Sequence, residues 1–184
     1  MRFAMSPEPV PPWKAFLEDL DSRLAEAVRL HCIGGFAVVA AYGLPRSTND
    51  LDYFSIEPYD CAAELEATAG RGSLLARKHK MYVQRVGVAS VPENYDERLT
   101  ELYPGHFTNL RLFVPDPYDL ILSKLTRNID RDREDVRHLA KTSSLDPGVL
   151  RDRYQKEMRS IVIGDPLQHE ATLEFWIEAY FRER

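Results

Sequence analysis

At 184 residues, 44% apolar and 29% charged, the chain has the composition of a soluble globular protein about one domain in size, with material for one core and a helical extension. It has no apolar run near the roughly 18 residues that span a bilayer and no signal-peptide core, so no membrane partner is expected. Its two cysteines, Cys32 and Cys61, lack metal-ligand spacing and suit a reduced, cytoplasmic protein. The net charge of −5 disfavours a general nucleic-acid coat protein but leaves room for a local basic patch.

In chain order, residues 1–12 form a proline-rich lead-in expected to be flexible. Apolar residues at Phe16, Leu17, Leu20, Leu24, Ala27 and Val28 recur at helical spacing and predict a helix over 13–30. A short strand over 31–33 ends at Gly34-Gly35. The small apolar run 36–42 then predicts a buried helix starting at the glycines and stopped by Gly43 and Pro45. Residues 50–56 alternate, with Leu51, Tyr53 and Ser55 on one face and Asp50, Asp52 and Phe54 on the other.

Helices are predicted over 59–69 and 73–79, a β-rich stretch over 81–91, and a further strand over 108–114. From Pro117 the pattern is helical, over 118–128, 131–142, 147–158 and 166–181. The order predicts an α+β fold: a small mixed β-sheet flanked by helices, over 13–115, and a helical C-terminal part, 116–184, packed on that core.

The chemistry concentrates between residues 33 and 54, IGGFAVVAAYGLPRSTNDLDYF. Carboxylates at i and i+2 of a strand project to one side, with Cα atoms about 7 Å apart. Such a pair can bracket divalent cations, and its hard oxygen ligands select Mg²⁺ or Mn²⁺, which bind substrate phosphates in turn. Gly34-Gly35 at a strand-to-helix junction lets backbone N–H groups approach a phosphate, helped by the helix dipole. Arg46, Ser47 and Thr48 can supply further donors. Each motif alone is commonplace, a tight turn or a solvated strand end; their order across one strand–helix–strand unit is specific.

Gly34-Gly35 followed by Arg46-Ser47-Thr48-Asn49-Asp50-Leu51-Asp52 resembles the signature of the nucleotidyltransferase superfamily with the DNA polymerase β-like fold. The variant is similar to that of AbiEii-type toxins and their bacterial relatives. A second segment, DPYDLILSKLTRNIDRDREDVRHLA over 116–140, resembles the helices that follow the sheet in such proteins.

The resemblance implies a metal-dependent enzyme moving an NMP from an NTP to an acceptor hydroxyl and releasing pyrophosphate. Asp50 and Asp52 would hold the metal, Gly34 and Gly35 the β,γ-phosphates, and Arg46, Ser47, Thr48, Lys124 and Asp132 the nucleotide. It further implies a toxin paired with an antitoxin, acting on RNA such as the 3′ end of tRNA or on a protein. A small-molecule acceptor, as in aminoglycoside nucleotidyltransferases, is the alternative enzyme, and a degenerate nucleotide-binding module the non-catalytic one. Asp132 and Asp135 read equally well as helix-start acids paired with Arg131, Arg133 or Arg137, and Lys124 as a surface lysine.

One departure stands out: the superfamily brings a third carboxylate from a later strand, and neither 81–91 nor 108–114 carries an acid. Glu93, Asp96 and Asp132 are the candidate substitutes. Arg71, Arg77, Lys78, His79, Lys80 and Arg85 form a basic stretch, either a solvated face or an acceptor-binding patch. The stripe Leu173, Trp176, Ile177 and Tyr180 is core or a partner contact.

Overall fold

The computed structural model describes residues 8–87 and 90–181. The expected flexible lead-in therefore lies outside the described residues over 1–7, as do Val88 and Ala89 at the end of the expected 81–91 strand. The fold is α+β. Of the described residues, 8–87 and 100–114 make one compact unit, built on a sheet. Residues 90–99 and 115–181 make a second, built on helices.

The sheet unit runs α1 (Trp13–Asp21), β1 (Val28–Ile33), α2 (Gly34–Tyr42), β2 (Asp50–Glu57), α3 (Ala62–Ala69), α4 (Leu74–His79), β3 (Tyr82–Arg85), β4 (Thr100–Leu102) and β5 (Leu110–Val114). Its five strands lie in the order β3-β2-β1-β5-β4. β2 is antiparallel to β1 and parallel to β3, while β5 is parallel to β1 and antiparallel to β4.

One face of this sheet is apolar. Leu30, Cys32, Leu51, Tyr53, Val83 and Leu112 are buried, as are Phe16, Leu17 and Leu20 of α1, Phe36 and Val38 of α2, and Leu65 of α3. Trp13 meets Phe36 edge-on at 4.7 Å, tying α1 to α2. Full burial of a side chain such as Phe16 is worth about 2–3 kcal/mol.

The first helix ends at Asp21, well before the expected 30. Its last carboxylate accepts backbone N–H bonds from Thr108, Asn109 and Leu110 at 3.1, 2.7 and 2.7 Å, and Asn109 donates to the Leu24 carbonyl at 2.9 Å. Those bonds tie the helix end to the start of β5. Val28 and Leu30, read as helical, instead alternate inward from β1.

In β2 the expected alternation holds from Asp50 to Tyr53. A bulge opposite His31 and Cys32 then shifts the register, so Ile56 rather than Ser55 returns to the core. Among the described residues, the strand expected over 81–91 runs over Tyr82–Arg85, and β4 has no counterpart in the expected elements.

The helical unit contains α5 (Pro117–Leu122), α6 (Asp130–Thr142), α7 (Pro147–Arg153), which continues as a π-helical turn over Tyr154–Met158, and α8 (Pro166–Tyr180). Three of these helices open on Asp-Pro. Asp116, Asp146 and Asp165 each cap a backbone N–H, and the proline sits where no intrahelical donor is needed. Leu173, Trp176 and Ile177 of the α8 stripe are buried, and Tyr180 carries the Arg137 guanidinium 5.2 Å over its ring. Asp119, fully buried, receives Arg98 at 2.8 Å and Arg153 at 2.8 Å, which fastens residues 90–99 to the helices.

Candidate active site

The β1–α2 junction determines the geometry. Ile33 ends β1 in extended backbone, and Gly34 turns the chain into α2 with φ +73°, a left-handed value that costs other residues about 1–2 kcal/mol. Because Ile33 is in register with Asp52, the turn lies directly against the second aspartate of β2. A Cβ on Gly34 would lie 2.6 Å from Asp52 Oδ2, and one on Gly35 would lie 2.8 Å from an Arg46 guanidinium nitrogen and 3.5 Å from Thr48 Oγ1.

The glycines therefore make room within the protein itself. Their missing side chains let a carboxylate, a guanidinium and a hydroxyl close onto the first turn of α2. That turn has no acidic residue of its own, and its free N–H groups carry partial positive charge.

Thr48 donates its hydroxyl to Asp50 Oδ1 at 2.5 Å, which fixes one carboxylate from within the same loop. Asp50 and Asp52 share the face of β2 opposite Leu51 and Tyr53, and both are half-buried. Behind them, burial pushes the Cys32 thiol up and the neighbouring Asp52 carboxylate adds to the shift, so that thiol is no nucleophile at neutral pH. Ser47 is exposed in the loop. Six of the residues singled out from the sequence, Gly34, Gly35, Arg46, Thr48, Asp50 and Asp52, thus meet in one place.

The residues expected from the second segment are held differently. Lys124 is only 4% exposed, and its Nζ lies 2.7 Å from Asp135 and 3.5 Å from Asp132. Asp132 is fully buried; Arg127 grips both its oxygens at 2.9 and 2.7 Å, and it accepts the Ile129 N–H at 3.2 Å. Burial works to raise the Asp132 carboxyl, but Arg127 and Lys124 hold it below its ordinary value. The two helix-start acids are therefore paired, with Lys124 and Arg127 as partners rather than Arg131, Arg133 or Arg137. Lys124 is thus a buried, ion-paired side chain rather than a surface one.

The basic stretch is dispersed. Lys78 and His79 reach Asp19 at 2.6 and 3.0 Å, Arg71 stacks 4.8 Å over Tyr82, and Arg85 lies 5.0 Å over Tyr59. Of the substitutes for a third acid, Glu93 and Asp96 are exposed on the segment that groups with the helices.

Among the described residues, no three His, Cys, Asp or Glu side chains converge as a metal cage. Two carboxylates with hard oxygen donors still suit Mg²⁺, which takes one or two protein carboxylates and completes its shell with water and substrate phosphates. The parallel register of β2 and β3 sets Tyr82 beside Asp50 and Gln84 beside Asp52. Neither is an acid, and register, which sets them beside the aspartates, is not written in the local sequence.

A Gly-Gly turn into a helix closes here against an Asp-x-Asp strand of a small mixed sheet, the arrangement expected from the resemblance to the nucleotidyltransferase superfamily. Residues 15–181 match the model of a family described as "Nucleotidyltransferase of unknown function (DUF6036)", and the chain belongs to that family. No significant match is found among curated proteins or solved structures.

Proposed function

We propose that this family member transfers a nucleoside monophosphate from an NTP to an acceptor hydroxyl and releases pyrophosphate. One observation carries the reading: Asp52 and the Arg46-Thr48 loop close onto the glycine turn of α2, setting anion-binding groups beside two cation-binding carboxylates. Asp50 and Asp52 would hold Mg²⁺ or Mn²⁺, which when bound neutralises phosphate charge and polarises the reacting phosphorus.

The chain's own groups do the positioning. Backbone N–H groups of Gly34, Gly35 and the first turn of α2 receive the β,γ-phosphates, and Arg46 adds a charged donor. Thr48 holds the Asp50 carboxylate in one orientation. Ser47 offers a hydroxyl to the phosphate tail. The acceptor oxygen bonds to the α-phosphorus, the bond to the bridging β-phosphate oxygen breaks, the hydroxyl proton leaves to water, and pyrophosphate departs. Lys124 and Asp132 have no direct part in this reading, since each is committed to a buried partner.

The acceptor is an RNA end in this reading. The likeness of both segments to AbiEii-type toxins supports it, and with it an antitoxin partner. Pyrophosphate release from each NTP with Mg²⁺, in the presence of total RNA, of protein or of aminoglycosides, tests the proposal. Release that needs RNA and is lost in Asp50→Asn and Asp52→Asn is the expected result. Tight nucleotide binding with no release in any mixture would assign a nucleotide-binding module instead.

A further inference from the structure

The sheet brings a third polar side chain to the two aspartates, and it is not an acid. Residues in register on parallel strands share a face, and neighbouring strands lie about 4.8 Å apart. The pairs Leu51–Val83 and Tyr53–Arg85 belong to the helix-covered face, and the pairs Asp50–Tyr82 and Asp52–Gln84 to the other. Burial agrees at Leu51, Tyr53 and Val83, which are buried against half-buried Asp50, Asp52 and Tyr82, while Gln84 and Arg85 at the end of the strand are both exposed. Gln84 thus lies beside Asp52, on an edge strand.

We propose that Gln84 is the third oxygen donor of this site, and that its neutrality makes the divalent cation arrive with the nucleotide rather than alone. The inference rests on the reading of Asp50 and Asp52 as cation ligands. In an all-oxygen site, cation affinity follows the number of charged ligands. Two carboxylates and an amide carbonyl carry a charge of −2, which matches one divalent cation without exceeding it. The remaining anionic oxygens then come from the triphosphate, as is usual for Mg²⁺. A third carboxylate about 5 Å from Asp52 would repel it in the cation-free protein and capture a cation without substrate. The amide avoids that repulsion, and its NH₂ can donate to a phosphate oxygen, which a carboxylate cannot.

Mn²⁺ titration of the full chain, followed by the EPR signal of the free ion, tests the proposal without any turnover. The titration is run with and without a mixture of α,β-methylene analogues of the four nucleoside triphosphates. Wild-type protein is expected to bind Mn²⁺ weakly alone and more tightly with the analogues. Gln84→Glu is expected to tighten binding of Mn²⁺ alone by about tenfold or more. Gln84→Ala is expected to give no such gain and to weaken binding with the analogues.

Thermal melts supply a second readout: Gln84→Glu should melt below wild type without Mn²⁺ and recover when it is added. Mn²⁺ affinity of Gln84→Glu within twofold of wild type, with analogue-supported binding still lost in Asp52→Asn, would overturn the role of Gln84 and leave the aspartates standing. Mn²⁺ binding indifferent to Asp52→Asn would overturn the reading of the site itself.

Discussion

Replacing Gly34 with alanine probes the contact on which the site is built. The alanine must adopt φ +73°, at a cost of about 1–2 kcal/mol. Its Cβ would also lie 2.6 Å from Asp52 Oδ2, which forces the carboxylate off its rotamer for about 0.5–1.5 kcal/mol more. The sum is about 1.5–3.5 kcal/mol, a fall in melting temperature of roughly 3–14 °C for a chain of this size.

The two contributions separate in a double-mutant cycle. In an Asp52→Ala background the clash with the carboxylate is gone, so Gly34→Ala should cost only the backbone strain, about 1–2 kcal/mol. Urea unfolding reads this cleanly in a Trp176→Phe protein. Trp13, which packs on Phe36 of α2, is then the sole tryptophan and reports the sheet unit. An equal cost of Gly34→Ala in both backgrounds would refute the claim that the glycine exists to admit Asp52.

Other outcomes follow from the same structure. Thr48→Val removes the 2.5 Å bond that orients Asp50, and should lower nucleotidyl transfer about tenfold or more with little change in melting temperature. Lys124→Met removes the buried ammonium that Asp135 and Asp132 face at 2.7 and 3.5 Å and should destabilise the protein by about 3–5 kcal/mol, with part recovered by adding Asp135→Leu, both measured by urea unfolding.

Asp19 sets an acid limit. Hydrogen bonds from His79 and Lys78, with Arg23 beside them, hold its carboxyl well below the usual range. A depressed acid contributes stability that is present above the unfolded value near 3.9 and lost as pH falls through the folded one. Asp19→Asn should therefore be less stable at pH 7 by about 1–2 kcal/mol, with a flatter loss of stability below pH 4 in urea titrations.

The strand–helix–strand core of the site was legible because its signals are local. Gly34, Gly35, Gly43 and Pro45 punctuate the chain where the helix begins and ends, and alternation around Asp50 and Asp52 marks their common face. Contacts that join distant segments were not legible. The end of α1 depends on Asp21 bonding to residues 108–110, and nothing near Asp21 reveals that partner.

The β2 bulge breaks the alternation at Ser55 for a reason that lies in the pairing with β1 rather than in β2. Gln84 escaped notice because a glutamine on a short strand has meaning only through its register with Asp52. Lys124 is expected at a phosphate by the resemblance of its segment to the family's helices. Its buried partners, Asp132 and Asp135, were visible in the sequence, but their convergence on it was not.

If Asp50 and Asp52 direct nucleotidyl transfer as proposed, the fate of each phosphate reveals it. With NTPs labelled at the α- or the γ-phosphorus, Mg²⁺ and total RNA, α-label should appear in the acceptor and γ-label in pyrophosphate, with both signals lost in Asp52→Asn. Transfer of γ-label to the acceptor, or α-label incorporation that survives Asp50→Asn with Asp52→Asn, would contradict the account.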